Sequence, residues 1–302
     1  MDGILNVDKP SAWTSHDVVQ RIRRRTGQPR IGHAGTLDPL ATGVLLLCLG
    51  LATRIVQYLS ELDKTYLATF RLGVTTDTGD AQGRVIREQA VSATIRDIQS
   101  IVPAFIGVIQ QTPPMFSAVK SGGRRLYKLA RAGCVVERPS RTVRVYEIDV
   151  RRFEGTDLTL LIRCSKGTYI RSLADDLGGR LGCGAHVLHL QRVGVGSFTL
   201  DQALSLGEAE ELCSKGCLSE RMLSMNQALR HLPQITIDRK DQDHIEHGAA
   251  LPLNRSALLP DLHTFREPIR LIGDGDRLLG LGRIVSDGSR SQIVVQPIRV
   301  FV

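Results

Sequence analysis

The run Gly32-His33-Ala34-Gly35-Thr36-Leu37-Asp38-Pro39-Leu40-Ala41-Thr42-Gly43 sets one carboxylate, Asp38, in a glycine-rich turn five residues after an imidazole. A carboxylate held there can act as a nucleophile or as a base, provided it is ionised. A structural task competes for the same residues, because Asp followed by Pro is the pattern of a helix start, with Asp as N-cap and Pro as the first helical residue. Capping alone does not call for glycines at 32, 35 and 43, which let backbone or ligand approach closely. The two tasks are compatible. The expectation is a helix or turn N-terminus that holds the carboxylate, with backbone N–H groups and positive dipole ends favouring its charged form.

No second Asp or Glu stands in comparably unusual context, which excludes paired-carboxylate hydrolysis. The sequence has no Walker loop, dinucleotide fingerprint, nucleophile elbow or histidine pair with metal spacing, so the chemistry is expected to need no cofactor and no metal. The cysteines, at 48, 134, 164, 183, 213 and 217, bring only Cys213 and Cys217 close, without zinc-site form. Reduced thiols and no disulfides are expected.

The elements that must position Asp38 follow from periodicity. Ser15 opens a helix through Thr26, with Val18, Val19 and Ile22 inward and Gly27 as the stop. The apolar run to Leu49 reads as a buried strand, Leu51 to Leu62 as a helix, and Lys64 to Leu72 as a strand. Thr75 to Gly83 reads as a loop. Ser92 is expected to cap a helix carrying Ile95, Ile98 and Val102. Strands are expected over Val143–Phe153 and Leu158–Cys164, and a helix carries Ile170, Leu173, Leu177 and Leu181. Beyond about residue 230, short apolar runs between Gly and Pro turn signals mark a small β-rich domain. This order of elements is α+β rather than doubly wound.

The 302-residue chain carries 39 Lys and Arg against 31 Asp and Glu, a net charge of +8. The pI of about 9.4 suits a partner that is a polyanion. The charge gathers in two clusters, Arg21 to Arg30 and Lys120 to Arg131, which makes phosphate contact a real alternative to a merely solvated face. No apolar run is long enough to cross a bilayer and the N-terminus lacks signal-peptide form, which predicts cytoplasmic residence without membrane contact.

The run from Gly32 to Gly43 resembles the catalytic motif of the bacterial TruB-type tRNA pseudouridine synthases. Other stretches match that family in order: Lys9-Pro10 with Trp13-Thr14-Ser15, Lys64-Thr65-Tyr66, Pro113-Pro114-Met115-Phe116-Ser117-Ala118-Val119-Lys120, Arg125-Leu126-Tyr127, and Gly167-Thr168-Tyr169-Ile170-Arg171. Gly280-Leu281-Gly282 and Pro297-Ile298-Arg299-Val300-Phe301 resemble the small PUA-like RNA-binding domain that ends many members. The resemblance implies a mixed β-sheet core flanked by helices over residues 1–232, a thumb-like RNA-binding insertion at about 113–141, and a PUA-like domain over 233–302.

It further implies cofactor-free isomerisation of uridine 55 in the T-loop of tRNA, with the base flipped out of its stack. Asp38 would be the essential carboxylate, as nucleophile or as base in a glycal route, and the sequence leaves both open. Tyr66 would stack on the uracil and help remove the C5 proton, and Arg171 would pair with Asp38. Tyr169 and Leu190 would wall the base pocket, while His33 would take the place of the extracted nucleotide. Lys9, Lys64, Lys120, Arg124, Arg125 and Lys128 would contact RNA. Two residues depart from the family pattern: Ala12 replaces a usual Gly, which bears on a turn, and Asp175 replaces a common basic residue, which bears on one RNA contact.

A guide-RNA-dependent, dyskerin-like enzyme and a tRNA-folding chaperone are the alternatives. The intact segment Ser121-Gly122-Gly123-Arg124-Arg125-Leu126-Tyr127 and the lack of a long basic tail favour a stand-alone monomer acting on the tRNA T-arm without an obligate protein partner. A chaperone role is compatible with it.

Overall fold

The computed structural model describes residues 1–117, 119–134, 136–253, 268–286 and 293–301. The chain opens with β1 (Gly3–Lys9) and then α1 (Ser15–Thr26), whose Val18, Val19 and Ile22 are buried at helical spacing. Thr14 and Asp17 close a reciprocal capping box at its start, and Gly27 ends it in the left-handed conformation at φ 65°. β2 (Ile31–Ala34) and β3 (Thr42–Leu49) follow as an antiparallel pair, joined by the loop that carries Asp38.

β3 is apolar along its length because both of its faces are covered. Leu45, Leu47 and Leu49 join the core formed with Val18 and Ile22 of α1, while Val44, Leu46 and Cys48 face Ala52, Ile55 and Leu59 on the other side. The expected helix from Leu51 to Leu62 is a 3-10 segment, Gly50–Ile55, followed by the short α2 (Val56–Ser60).

β4 (Lys64–Leu72) occupies the predicted span. After it come the hairpin of β5 (Val74–Thr76) and β6 (Val85–Glu88), then α3 (Ile95–Ile101) and β7 (Gly107–Gln111). α3 is capped by Thr94 rather than Ser92, because Asp97 completes a capping box there, and Ile95 is left exposed. The thumb segment holds the hairpin of β8 (Lys120–Ser121) and β9 (Arg124–Arg125), then α4 (Leu126–Arg131). β10 (Arg141–Glu154), β11 (Asp157–Cys164), α5 (Ile170–Arg180), β12 (Ala185–Val195), β13 (Phe198–Thr199), β14 (Leu204–Ser205), α6 (Leu206–Lys215) and α7 (Met225–Ala228) complete this part.

Among the described residues these strands form a ten-stranded mixed sheet with the order β14-β1-β3-β12-β4-β11-β10-β7, β2 pairing with β3 and β13 with β12. α1, α5 and α6 cover one face, where Leu173, Leu177 and Ala209 meet Phe70, Leu160 and Ile162. A second sheet, ordered β15-β17-β18-β19-β16, is built from β15 (Gln234–Thr236), β16 (Leu251–Leu253), β17 (Ile269–Ile272), β18 (Leu278–Ser286) and β19 (Ile293–Val300), with α8 (Arg239–Glu246) packed on it. Its Ile272, Leu278 and Leu281, with Phe301, share a core with Ile4, Val44 and Leu46. The β-rich end of the chain is thus docked on the uncovered face of the main sheet. Among the described residues no helix is long and apolar enough to cross a membrane.

Candidate active site

Asp38 lies in the loop between β2 and β3, and that loop is fastened by the segment between β1 and α1. The Leu37 N–H donates to Ser15 Oγ at 2.9 Å, the Ala12 N–H to the Pro39 carbonyl at 2.9 Å, and the Gly43 N–H to Asp8 Oδ1 at 3.0 Å. Beneath the loop, Lys9 is fully buried, and its Nζ donates to the carbonyls of Trp13 at 2.6 Å, Pro10 at 2.8 Å and Pro39 at 3.3 Å. The Lys-Pro and Trp-Thr-Ser motifs at the N-terminus therefore hold the Asp38 loop in place. Ala12 sits at φ 66°, which explains the Gly usual there.

No helix begins at Asp38. Residues 38–41 form a single turn in which the Ala41 N–H donates to the Asp38 carbonyl at 3.0 Å. The expected cap and its dipole are absent, so another group must hold the carboxylate charged. That group is Arg171, in the first turn of α5. Its Nη2 donates to Asp38 Oδ1 at 3.0 Å and its Nε lies 2.9 Å from Asp38 Oδ2, an ion pair that touches both oxygens with one aligned hydrogen bond. Burial pushes the Asp38 carboxyl above the usual carboxylate value, Arg171 opposes that shift, and the charge of Asp80 adds to it.

Arg171 is itself 4% exposed, and the rest of its guanidinium is held as well: Nη1 donates to the Thr78 carbonyl at 2.9 Å, Nη2 to the Phe116 carbonyl at 2.8 Å, and Asp80 Oδ2 lies 3.8 Å from Nε. One guanidinium ties together the Asp38 loop, the β5–β6 turn and the root of the thumb. The sequence did not single out Asp80, because its Thr, Asp and Gly neighbours read only as a loop.

A cavity of about 810 Å³ opens over this cluster. Its walls include His33, Asp38, Asp80 and Arg171, with Phe116, Arg125 and Tyr127 from the thumb. His33, half-buried on β2, has its imidazole pKa lowered by burial and by Arg192, which favours the neutral ring near pH 7. Among the described residues no group of three or more His, Cys, Asp or Glu could hold a metal ion.

Residues 23–170 match the family described as TruB family pseudouridylate synthase (N terminal domain), and residues 171–231 match the tRNA pseudouridylate synthase B C-terminal domain. The chain is 45% identical over 276 residues to tRNA pseudouridine synthase B of Dechloromonas aromatica, covering 91% of each chain. It is 40% identical over 291 residues to the protein of that name in Pseudomonas paraeruginosa, covering 95% of this chain and 93% of that one. The chain belongs to the TruB family of pseudouridylate synthases. Its fold matches a chain in the crystal structure of a Cbf5-Nop10-Gar1 complex with a TM-score of 0.76 at 28% identity, covering 99% of this chain and 85% of that one.

With the TruB motifs in view, the expected site residues fall into three groups. Asp38, Arg171 and His33 meet at the cavity. Tyr66, expected to stack on the uracil, and Tyr169 and Leu190, expected to wall the base pocket, are not among the residues lining this cavity, although Tyr66 and Tyr169 are only half-buried. Tyr66 packs on the core and pairs in register with Arg192 of β12, and burial raises its pKa. Burial raises the pKa of the Tyr169 phenol, and Leu190 is 8% exposed in the core of β12.

The basic residues divide as well. Lys9 and Lys64 cannot reach phosphates as expected, because both are buried and held by carbonyls; Lys64 Nζ donates to Ser60 and Leu62, each at 2.6 Å. Desolvation lowers each ammonium to about 8. Arg124, Arg125 and Lys128 are exposed on the thumb. Lys120 lies on β8, and its side chain is outside the described residues, as is Ala118 of the same motif.

Arg192 is a further site residue that the sequence did not announce. It is 1% exposed, donating from Nε to the Val44 carbonyl at 2.7 Å and from Nη2 to the Gly35 carbonyl at 3.0 Å. Its only signal in the sequence is a cation in the middle of an apolar strand.

Proposed function

We propose that the chain isomerises uridine 55 in the T-loop of tRNA to pseudouridine without a cofactor. The observation that carries this reading is the clasp of Asp38 by Arg171 on the floor of a cavity roofed by a basic thumb. The bond from uracil N1 to C1′ breaks, the base turns, and C5 bonds to C1′; the C5 proton leaves and N1 gains a proton. No oxidant or reductant enters. Asp38 must be ionised to act, whether as nucleophile at C1′ or as base in a glycal route. Arg171 keeps it so against the desolvation of the site.

Tyr66 is assigned to the uracil face and to removal of the C5 proton, and the neutral ring of His33 to stacking where the flipped nucleotide leaves its neighbours. Tyr169 and Leu190 are assigned to the wall of the base pocket. Lys120, Arg124, Arg125 and Lys128 are assigned to phosphates of the T-arm. The catalytic unit comprises residues 1–232, with the thumb at 113–141 and a PUA-like RNA-binding unit at 233–302. The protein works as a stand-alone monomer in the cytoplasm, with tRNA as its partner.

Purified protein is incubated with unmodified T-arm RNA, without added metal or nucleotide, and pseudouridine is mapped by carbodiimide labelling. Product at position 55 is expected from the natural chain and none from Asp38→Asn. Absence of product from both overturns the activity, and product from Asp38→Asn overturns the assignment of the carboxylate. Refolding of tRNA by Asp38→Asn would report a chaperone role beside the chemistry.

A further inference from the structure

α5 carries Tyr169 at its N-cap position and Arg171 in its first turn, yet nothing local fixes where it starts, because no side chain caps it. The N-cap residue itself is held instead by Gln111, the last residue of β7 and the root of the thumb. The Tyr169 N–H donates to Gln111 Oε1 at 2.7 Å, and Gln111 Nε2 donates back to the Tyr169 carbonyl at 3.0 Å. The side-chain amide pairs with the backbone of Tyr169 as a neighbouring strand would. Gln111 is 2% exposed, so water is not at hand to replace either bond.

Two more contacts continue this register. Ser172 Oγ donates to the Thr112 carbonyl at 2.8 Å, and Arg171 Nη2 donates to the Phe116 carbonyl at 2.8 Å. The other stem of the thumb starts beside the same residue, since Arg141 pairs with Gln111 across β10 and β7. The base of the RNA-binding insertion and the first turn of α5 thus form one unit, and Gln111 is its pin.

We infer that Gln111 is a positioning residue for the reaction, setting the start of α5 and through it the guanidinium of Arg171 against Asp38. Only a primary amide of this length supplies both the donor and the acceptor. Met fills the same volume with neither, and Glu keeps the acceptor while setting a carboxylate against the Tyr169 carbonyl. The inference rests on the proposed roles of Asp38 and Arg171.

The test uses the full chain and an unmodified tRNA transcript, with Gln111→Met, Gln111→Glu and Asp38→Asn assayed below the melting midpoint of each. Single-turnover rates at saturating RNA are measured across pH, and RNA affinity is measured by filter retention. Both Gln111 variants are expected to lose about tenfold or more in rate while their affinity stays within about threefold. The acid limb of their rate profile moves to higher pH, because a loosened Arg171 no longer holds Asp38 ionised. A natural rate in Gln111→Met overturns the inference. So does a loss that saturating RNA restores, or a lower rate with an unmoved acid limb. An active Asp38→Asn refutes the underlying assignment instead, which keeps the two failures apart.

Discussion

Replacing Arg171 by Met separates the two services its guanidinium gives to Asp38, charge and position. An opposite charge at contact distance lowers a carboxylate pKa by about 1–3 units. The Asp38 side chain retains 35% exposure, so solvent screening moderates the effect. Loss of Arg171 therefore moves the acid limb of the rate profile to higher pH, each unit of movement worth about 1.4 kcal/mol. The sign follows from the ionised form being the active one: as pH falls through the raised pKa, activity disappears. Well below the inflection the variant loses a further factor of about 10 for each unit of that movement, on top of its deficit on the alkaline plateau. The plateau deficit that remains reports lost position. Removal also strands the Thr78 and Phe116 carbonyls and the buried Asp80, a destabilisation of about 3–5 kcal/mol, so single-turnover rates are taken well below the melting midpoint. Arg171→Lys should restore most of the inflection but not the plateau, since an ammonium cannot clasp both oxygens. A uniform drop at all pH values, with the inflection unmoved, would refute the claim that Arg171 keeps Asp38 charged.

Ala12→Gly should stabilise the chain by about 0.5–1 kcal/mol, the relief of a left-handed L-residue less the entropy cost of Gly, and an unchanged denaturant midpoint would count against strain at that turn. Gly43→Ala should cost about 3 kcal/mol or more, because φ is 100° and a Cβ would stand 2.2 Å from the Arg192 carbonyl oxygen; thermal unfolding reads it directly. Lys9 and Lys64 titrate near 8 when folded, against an ordinary lysine value of 10.5, so the unfolded chain binds more protons above pH 8 and stability should rise from about pH 8 to about 9. Above about 9 the rise should flatten, since Cys48 and Cys164, pushed up to about 12 and about 11, lose protons first in the unfolded chain; melting midpoints that fall steadily across pH 8–9 would contradict this. Neutralising Arg124, Arg125 or Lys128 should each reduce the slope of log affinity against log salt by about 1, and a slope unchanged in all three would remove the thumb from phosphate contact.

The elements nearest the site were legible because their signals are local. α1 announces itself by the spacing of Val18, Val19 and Ile22 and stops at Gly27, and β4 matches its predicted span because Lys64–Leu72 alternates between buried and half-buried positions. The helix expected from Leu51 to Leu62 failed for a tertiary reason. Ile55 and Leu59 pack as predicted, but Ala52 is drawn into the same core, and the segment tightens into a 3-10 turn before a single α-helical turn follows. At α3, Thr94 with Asp97 outcompetes Ser92, a choice that a scan for isolated caps misses and a scan for capping boxes would make.

The site was legible in its reactive atoms and hidden in its supports. Asp38 stood out because Asp-Pro amid glycines is unusual, but the inference that a helix terminus keeps it charged was wrong. The chain solves that problem with a side chain 133 residues away, and no local pattern reports a partner at such a distance. The same limit explains Lys9 and Lys64. In sequence a lysine beside a catalytic motif suggests phosphate contact, whereas burial under loop carbonyls converts each into a fastener. Arg192 is the converse case, a charge inside an apolar strand whose cost is met by the Val44 and Gly35 carbonyls. Buried cations that fasten the loop of a part-exposed carboxylate are a property of the three-dimensional site. They become readable in sequence only where a charge interrupts an otherwise apolar element, as Lys9 does at the end of β1, Lys64 at the start of β4 and Arg192 within β12.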